Sequence, residues 1–228
     1  MIEAKNITKS FKDGPVETHV LKGISIAIED GEFVAIMGRS GAGKSTLLYQ
    51  LSLLDEPTEG TLAIGGRQTH AMNEREKMLF RLEKFGYVFQ DYALLPELSA
   101  IENVALPLLM QGLSNAVATE TARKALERVG LGPRFNNLPS QLSGGEQQRV
   151  SISRAIAHDP DVLFADEPTA NLDKESSATV MDIFKELHEA GQTIIMVTHE
   201  DDFAAFAERI VKIDDGRIIS DSRASSHA

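Results

Sequence analysis

Five apolar residues, Phe33-Val-Ala-Ile-Met37, run unbroken into Gly38-Arg39-Ser40-Gly41-Ala42-Gly43-Lys44-Ser45, and a second apolar stretch, Thr46 to Leu54, follows at once. An uninterrupted apolar pentamer reads as a strand buried on both faces, the usual state of a parallel sheet. A glycine-rich turn between such a strand and a helix can curl its N–H groups toward an anion. The pattern Gly-x4-Gly-Lys-Ser in this setting is that of a phosphate-binding loop. Lys44 would reach the β- and γ-phosphates of a nucleotide, the Ser45 hydroxyl would bind Mg²⁺, and Thr46 would contact the α-phosphate.

Such a loop needs a second strand that brings carboxylates to the metal. Val162-Leu-Phe-Ala165 followed by Asp166-Glu167 supplies four apolar residues and then two acids at the strand's C-terminal end, where ligands bind in open α/β sheets. Asp166 would hold the Mg²⁺ shell and Glu167 would act as general base toward the attacking water. The alternative is an acidic turn, Asp166 to Thr169, that only caps the next helix. A further phosphate-type turn stands at Leu142-Ser-Gly-Gly-Glu-Gln-Gln-Arg149, where bare backbone N–H groups would again face an anion. Two anion-holding helix starts, only one of them with a lysine, point to a nucleotide site split between two chains.

Composition narrows the setting. The chain has 228 residues, 42% of them hydrophobic, enough for one sizeable core and a smaller subdomain. Its 23 basic against 34 acidic residues give a net charge of −11, which argues against nucleic acid as a partner. With no cysteine there is neither a disulfide framework nor a thiolate metal site. The longest apolar run, Val104 to Met110, contains Pro107 and is far too short to span a bilayer.

Alternation at Ile2, Ala4 and Ile7 and at Leu21, Ile24, Ile26 and Ile28 predicts two early strands, with others at Gly60–Ile64, Tyr87–Phe89 and Thr193–Val197. Ser99 and Glu102 form a capping box for a helix that Pro107 should kink. Ala122, Ala125, Leu126 and Val129 mark a second helix ended by Gly130, and Val180, Ile183, Phe184 and Leu187 a third. Asp215-Gly216 reads as a hairpin turn, and the polar tail Ser222 to Ala228 as frayed. The fold class expected is α/β: a core formed by residues 1–90 and 144–228, carrying an antiparallel β subdomain, with a helical subdomain inserted at 91–143.

The phosphate loop, Leu142-Ser-Gly-Gly-Glu-Gln147 and the Asp166-Glu167 strand, in that order and with Gln90 and His199 after strands, resemble the ATPase subunit of an ABC transporter along essentially the whole chain. The resemblance implies a P-loop NTPase core of RecA-like type that binds and hydrolyses ATP with Mg²⁺. It implies that Gln90 touches Mg²⁺ and water, that His199 contacts the γ-phosphate, that Asp173 lies in a segment crossing to the partner, and that Phe11 stacks on adenine. Ser143, Gly144 and Gly145 would close on the γ-phosphate held by the other protomer, giving a head-to-tail homodimer with two sandwiched ATPs. The segment Tyr92 to Leu98 is either a core loop or part of a groove for a membrane subunit.

Val34 to Gly38, Leu53 to Gly60, Val88 to Pro96 and Glu102 to Pro107 resemble the branch of lipoprotein-releasing, macrolide-exporter and cell-division types. Arg39 stands where proline is usual and Ala170 where glycine is, and neither change removes a chemical group. The branch implies integral membrane permease subunits with an extracytoplasmic domain, energised for export, lipoprotein release or force transmission. It places this chain in the bacterial cytoplasm, on the inner face of the cell membrane. A regulatory ATPase that governs a cell-wall hydrolase through a membrane partner is the alternative. Soluble ABC proteins of translation or DNA repair, with paired cassettes or long insertions, fit the composition less well.

Overall fold

The computed structural model describes residues 1–223. Two sheets form its frame. β1 (Ile2–Asp13), β2 (Val16–Ile28), β4 (Glu59–Ile64) and β5 (Arg67–Gln68) make an antiparallel sheet in the order β2-β1-β4-β5. The larger sheet combines β3 (Phe33–Met37), β6 (Phe85–Val88), β7 (Val162–Asp166), β8 (Thr193–Thr198), β9 (Arg209–Asp214) and β10 (Arg217–Arg223). Its order is β10-β9-β3-β8-β7-β6, parallel except for the β9–β10 hairpin.

The spacing in β1 and β2 breaks strict alternation, and the structure shows why. The register shifts between Ala4 and Ile7, where Asn6 takes φ 51°, and again between Ile7 and Thr8, across from Gly23 at φ 88°. That bulge resets the phase, so that Ile7 and Leu21 both return to the buried face.

In β3, β7 and β8 every residue is buried, and alternate residues serve two cores. Val34, Ile36, Ile195 and Val197 face the antiparallel sheet and the helix α1 (Lys44–Leu51), which contributes Leu47, Leu48 and Leu51. Phe33, Ala35, Met37, Ile194 and Met196 face the opposite layer of α3 (Ala100–Met110), α4 (Asn115–Arg128), α5 (Gly144–Ile156) and α6 (Lys174–Glu189). Val104, Leu108, Ala122 and Leu126 from α3 and α4 belong to that same cluster, so these helices share the core of the sheet.

Some boundaries differ from expectation. α1 starts at Lys44 and ends at Leu51, earlier at both ends than Thr46–Leu54, because Gly43 already caps it. β6 begins at Phe85, two residues before Tyr87. α3 carries Pro107 inside one continuous element that runs to Met110. Of the tail expected to fray, Ser222 and Arg223 complete β10, and 224–228 lie outside the described residues.

Two helices lacked a sequence signal strong enough to find them. α2 (Glu74–Lys84) exposes most of its surface, with Lys77 its only fully buried residue, so no apolar stripe marks it. Its Asn73–Glu76 capping box was the available sign. α7 (Asp201–Ala204) is a single turn. Among the described residues no helix is long and apolar enough to cross a membrane.

Candidate nucleotide site

The strand register brings distant motifs together. Met37 pairs with Thr198 across β3 and β8, and Val197 pairs with Asp166 across β8 and β7. The residues that follow these strands therefore emerge side by side at one edge of the sheet. They line a cavity of about 820 Å³, in which Gly38, Arg39, Ser40 and Lys44 meet Glu167 and His199, with Asp201 and Lys212 at the rim. Neither Asp201 nor Lys212 was foreseen, since each is an ordinary exposed charge in its own segment.

The loop from Gly38 to Gly43 turns through left-handed conformations at Gly41 (φ 79°) and Gly43 (φ 100°). A Cβ at Gly43 would come within 2.9 Å of Leu21 Cδ2, so glycine is required there both by the dihedral and by the close approach. No side chain caps α1, which leaves its first N–H groups and the positive end of its dipole available to an anion. Ala42 is buried beneath the loop, and Thr46 follows Ser45 in the first turn of α1.

Lys44 is only 6% exposed. Its ammonium donates to the Arg39 carbonyl at 3.2 Å and lies 3.6 Å from Glu167 Oε1. Glu167 Oε2 is 3.0 Å from His199 Nδ1, so one carboxylate bridges the lysine and the histidine. Glu167 takes φ 44°, a left-handed conformation that is uncommon for a side chain of this size and that persists where the surroundings hold it. Its N–H donates to the Val197 carbonyl at 3.0 Å.

The Ser45 hydroxyl donates to Asp166 Oδ1 at 2.8 Å. Burial pushes the Asp166 carboxyl up from its ordinary value, hydrogen bonds from Ser45 and Tyr49 pull it down, and the charge of Glu167 adds to the upward push. Tyr49, on α1, is a neighbour the sequence reading did not single out. Burial and the Asp166 charge raise its phenol. Asp166 and Glu167 thus sit within the cluster, and are more than an acidic turn ahead of α6.

The other expected residues lie around this cluster at different distances from it. Gln90 is exposed just beyond β6, and its carbonyl accepts from Asn171 Nδ2 at 3.0 Å. Phe11 is 48% exposed on β1, with Lys9 Nζ 5.1 Å from its ring centre, and does not line the cavity. Ser143, Gly144 and Gly145 begin α5 and lie outside the cavity as well. The N-terminus of α5 is not wholly bare, because Ser143 Oγ accepts from Glu146 N at 3.2 Å within a capping box. A Cβ at Gly145 would come within 2.5 Å of Ser176 Oγ, so glycine lets α5 pack closely on α6. Asp173 caps α6, accepting from Ser176 N at 2.9 Å, and the bonds from Ser176 hold its carboxyl below the ordinary range.

Tyr92 to Leu98 is mostly exposed, not a core loop. Of this segment only Ala93 lines the neighbouring groove of about 270 Å³, whose walls are Leu82, Tyr87, Phe89, Leu106, Pro107 and Met110.

Similarity to known proteins extends over the whole chain. The sequence profile of the family described as ABC transporter matches residues 21–170. An uncharacterized ABC transporter ATP-binding protein of Methanocaldococcus jannaschii, MJ1508, is 51% identical over 219 residues, covering 96% of this chain and 98% of that one. The lipoprotein-releasing system ATP-binding protein LolD of Aquifex aeolicus is 46% identical, with 97% of each chain covered. The macrolide export ATP-binding/permease protein MacB of Aggregatibacter actinomycetemcomitans is 48% identical over 98% of this chain, which spans 35% of that longer protein. Among solved structures, a dimeric post-hydrolysis state of the ATP-binding cassette MJ0796 bound to ADP and Pi superposes with a TM-score of 0.93. It is 39% identical, and 99% of this chain and 100% of that chain are covered.

Proposed function

Because this chain belongs to the ABC transporter family and is an ATP hydrolase of the ATP-binding cassette type, we propose that it is the energy-coupling subunit of a membrane complex of the lipoprotein-releasing or macrolide-exporting kind. The observation that carries this is the convergence of Lys44, Ser45, Asp166, Glu167 and His199 at the C-terminal ends of three adjacent strands. A site of this form suits a triphosphate. The amides of Gly38 to Thr46 cradle the phosphates, Lys44 meets the β- and γ-phosphates, and Phe11 stacks on the adenine.

Ser45, Asp166 and Gln90 are the residues that would hold Mg²⁺. The Ser45 hydroxyl and the Asp166 carboxylate stand 2.8 Å apart and offer the oxygen donors that such an ion takes beside phosphate oxygens and water. When bound, the ion neutralises charge on the β- and γ-phosphates. Glu167 accepts a proton from the water that attacks the γ-phosphorus while the bond to the bridging oxygen of ADP breaks. His199 orients Glu167 and contacts the γ-phosphate.

Ser143, Gly144, Gly145 and Asp173 serve a second copy of the chain in a head-to-tail homodimer. Ser143 and Asp173 are exposed at helix starts outside the cavity of their own chain, and the similar cassette MJ0796 is dimeric. The 91–143 segment forms the helical subdomain. The apolar groove against it takes a segment of an integral membrane permease with an extracytoplasmic domain, at the inner face of the cell membrane.

Glu167→Gln keeps the shape of the side chain and removes its basicity. We expect turnover to fall by about 10²–10⁴-fold while ATP binding persists and an ATP-bound dimer accumulates in size-exclusion chromatography. A variant that remains monomeric in saturating Mg-ATP overturns the shared site. Co-purification of the membrane partner, with a cargo or a cell-wall hydrolase on its outer domain, separates transport from regulation.

A further inference from the structure

Two consecutive residues after Gln90 hold a conformation that L side chains seldom take, Tyr92 at φ 64° and Ala93 at φ 48°. Each such residue is sterically strained, so a pair of them persists only where the surroundings over-determine it. One side chain binds the carbonyls of both residues, beside the contacts of Tyr92 and Gln90 with Asn171. Arg154, in α5, donates from Nη1 to the Ala93 carbonyl and from Nη2 to the Tyr92 carbonyl at 2.9 Å. A guanidinium offers its donors in a rigid plane, and here they hold two successive carbonyls.

Arg154 is partly buried, and among the described residues its hydrogen bonds go to these carbonyls and to Ser151 Oγ at 3.4 Å, with none to a carboxylate. Burial works against its charge and the nearby Asp91 works for it. The same side chain lines the apolar groove beside Phe89, Ala93 and Pro107. Tyr92 in turn lies over the start of α5, where a Cβ on Gly144 would come within 2.9 Å of its hydroxyl.

We propose that Arg154 is the positioning residue of Gln90: its guanidinium clamps the Tyr92–Ala93 turn, fixes where Gln90 stands, and ties that position to the groove on one side and to the Ser143-Gly-Gly helix on the other. The last step rests on the assignment of Gln90 made above. The turn that carries Gln90 and the surface lent to the second copy then move as one body, because one helix carries both the clamp and the Ser143 cap.

Hydrogen exchange of the full chain tests the clamp without reference to catalysis. The N–H groups of Tyr92, Ala93 and Leu98 all have backbone acceptors and that of Leu95 has Asn103 Oδ1, so peptides over 90–98 report directly. Arg154→Met should exchange faster there and unchanged over Gly38–Leu51. Turnover should fall by about 10- to 100-fold, with ATP affinity within about threefold of the parent.

Glycine takes positive φ at little cost, so Ala93→Gly added to Arg154→Met should restore most of the turnover. Arg154→Lys, which keeps the charge but loses the fork, should fall between. If Arg154→Met does not fold, Arg154→Lys with and without Ala93→Gly carries the same comparison. Exchange over 90–98 that matches the parent in the variants, or no recovery with Ala93→Gly, overturns the clamp. Gln90→Ala separates the two ideas: unchanged turnover there overturns the Gln90 assignment and leaves the exchange result to judge Arg154.

Discussion

Lys44 is 6% exposed and, among the described residues, meets only the Arg39 carbonyl and the Glu167 carboxylate. A buried ammonium with so few partners is held in readiness for a stronger anion. Lys44→Ala should therefore weaken ATP binding at least about tenfold, roughly the 1.4 kcal/mol of one modest charge-assisted bond, as measured by calorimetry; an unchanged affinity overturns the phosphate-loop assignment. Lys44, Ser45, Asp166 and Glu167 were legible in the sequence because residue type and spacing state their chemistry within short windows. Arg154 was not. An arginine on a helix is ordinary until a distant turn with two left-handed residues is found under it.

Arg209 is one of the residues that join elements across the two sheets, beside Lys22, which bonds to Asp215 and Gly216. Arg209 on β9 donates to the Ala27 carbonyl on β2 at 2.8 Å, to Glu32 at 3.1 Å, and to both oxygens of Asp221 on β10 at 2.7 Å. Arg209→Met should destabilise the fold by about 1.5–3 kcal/mol in urea titration, the range for hydrogen bonds to charged groups. Acid should act on the same contact. The bond from Arg209 holds the Asp221 carboxyl below its ordinary range, so its stabilisation is complete above about pH 4 and is lost as pH falls through the lower folded value. The parent should lose stability across that acid window, and Arg209→Met should lose less. Equal slopes for the two proteins exclude Asp221 as the source.

At this scale most strands and the major helices could be read from periodicity, whereas α2 could not. A helix lying exposed on the surface needs no apolar stripe, and its capping box alone did not reveal it. The bulge at Asn6 and Gly23 likewise left a trace, a broken alternation, whose meaning depended on which strands pair.

For the whole molecule, the active unit is proposed to be a pair of chains. Mixing a Ser143→Arg variant with a Lys44→Ala variant should yield heterodimers in which one composite site keeps both its phosphate loop and its Ser143 start of α5. Measurable ATPase activity in the mixture, where each variant alone has little, is the expected result; inactivity in a mixture shown by mass spectrometry to contain the heterodimer counts against independent shared sites.

By itself the sequence determined the chemistry of each piece: a glycine loop with its lysine, a strand ending in two acids, a Ser-Gly-Gly helix start, and alternation that names the buried faces. These follow from backbone sterics and hydrogen bonding over a few neighbouring residues. Only the tertiary structure decided which pieces meet. The register of β3, β8 and β7 sets Lys44, Glu167 and His199 on one cavity while leaving Ser143 and Phe11 outside its walls, and the packing of α5 under the Gln90 turn brings Arg154 to Tyr92 and Ala93. Such contacts join residues dozens of positions apart, and they are set by how the layers bury their shared faces, which no short window of sequence contains.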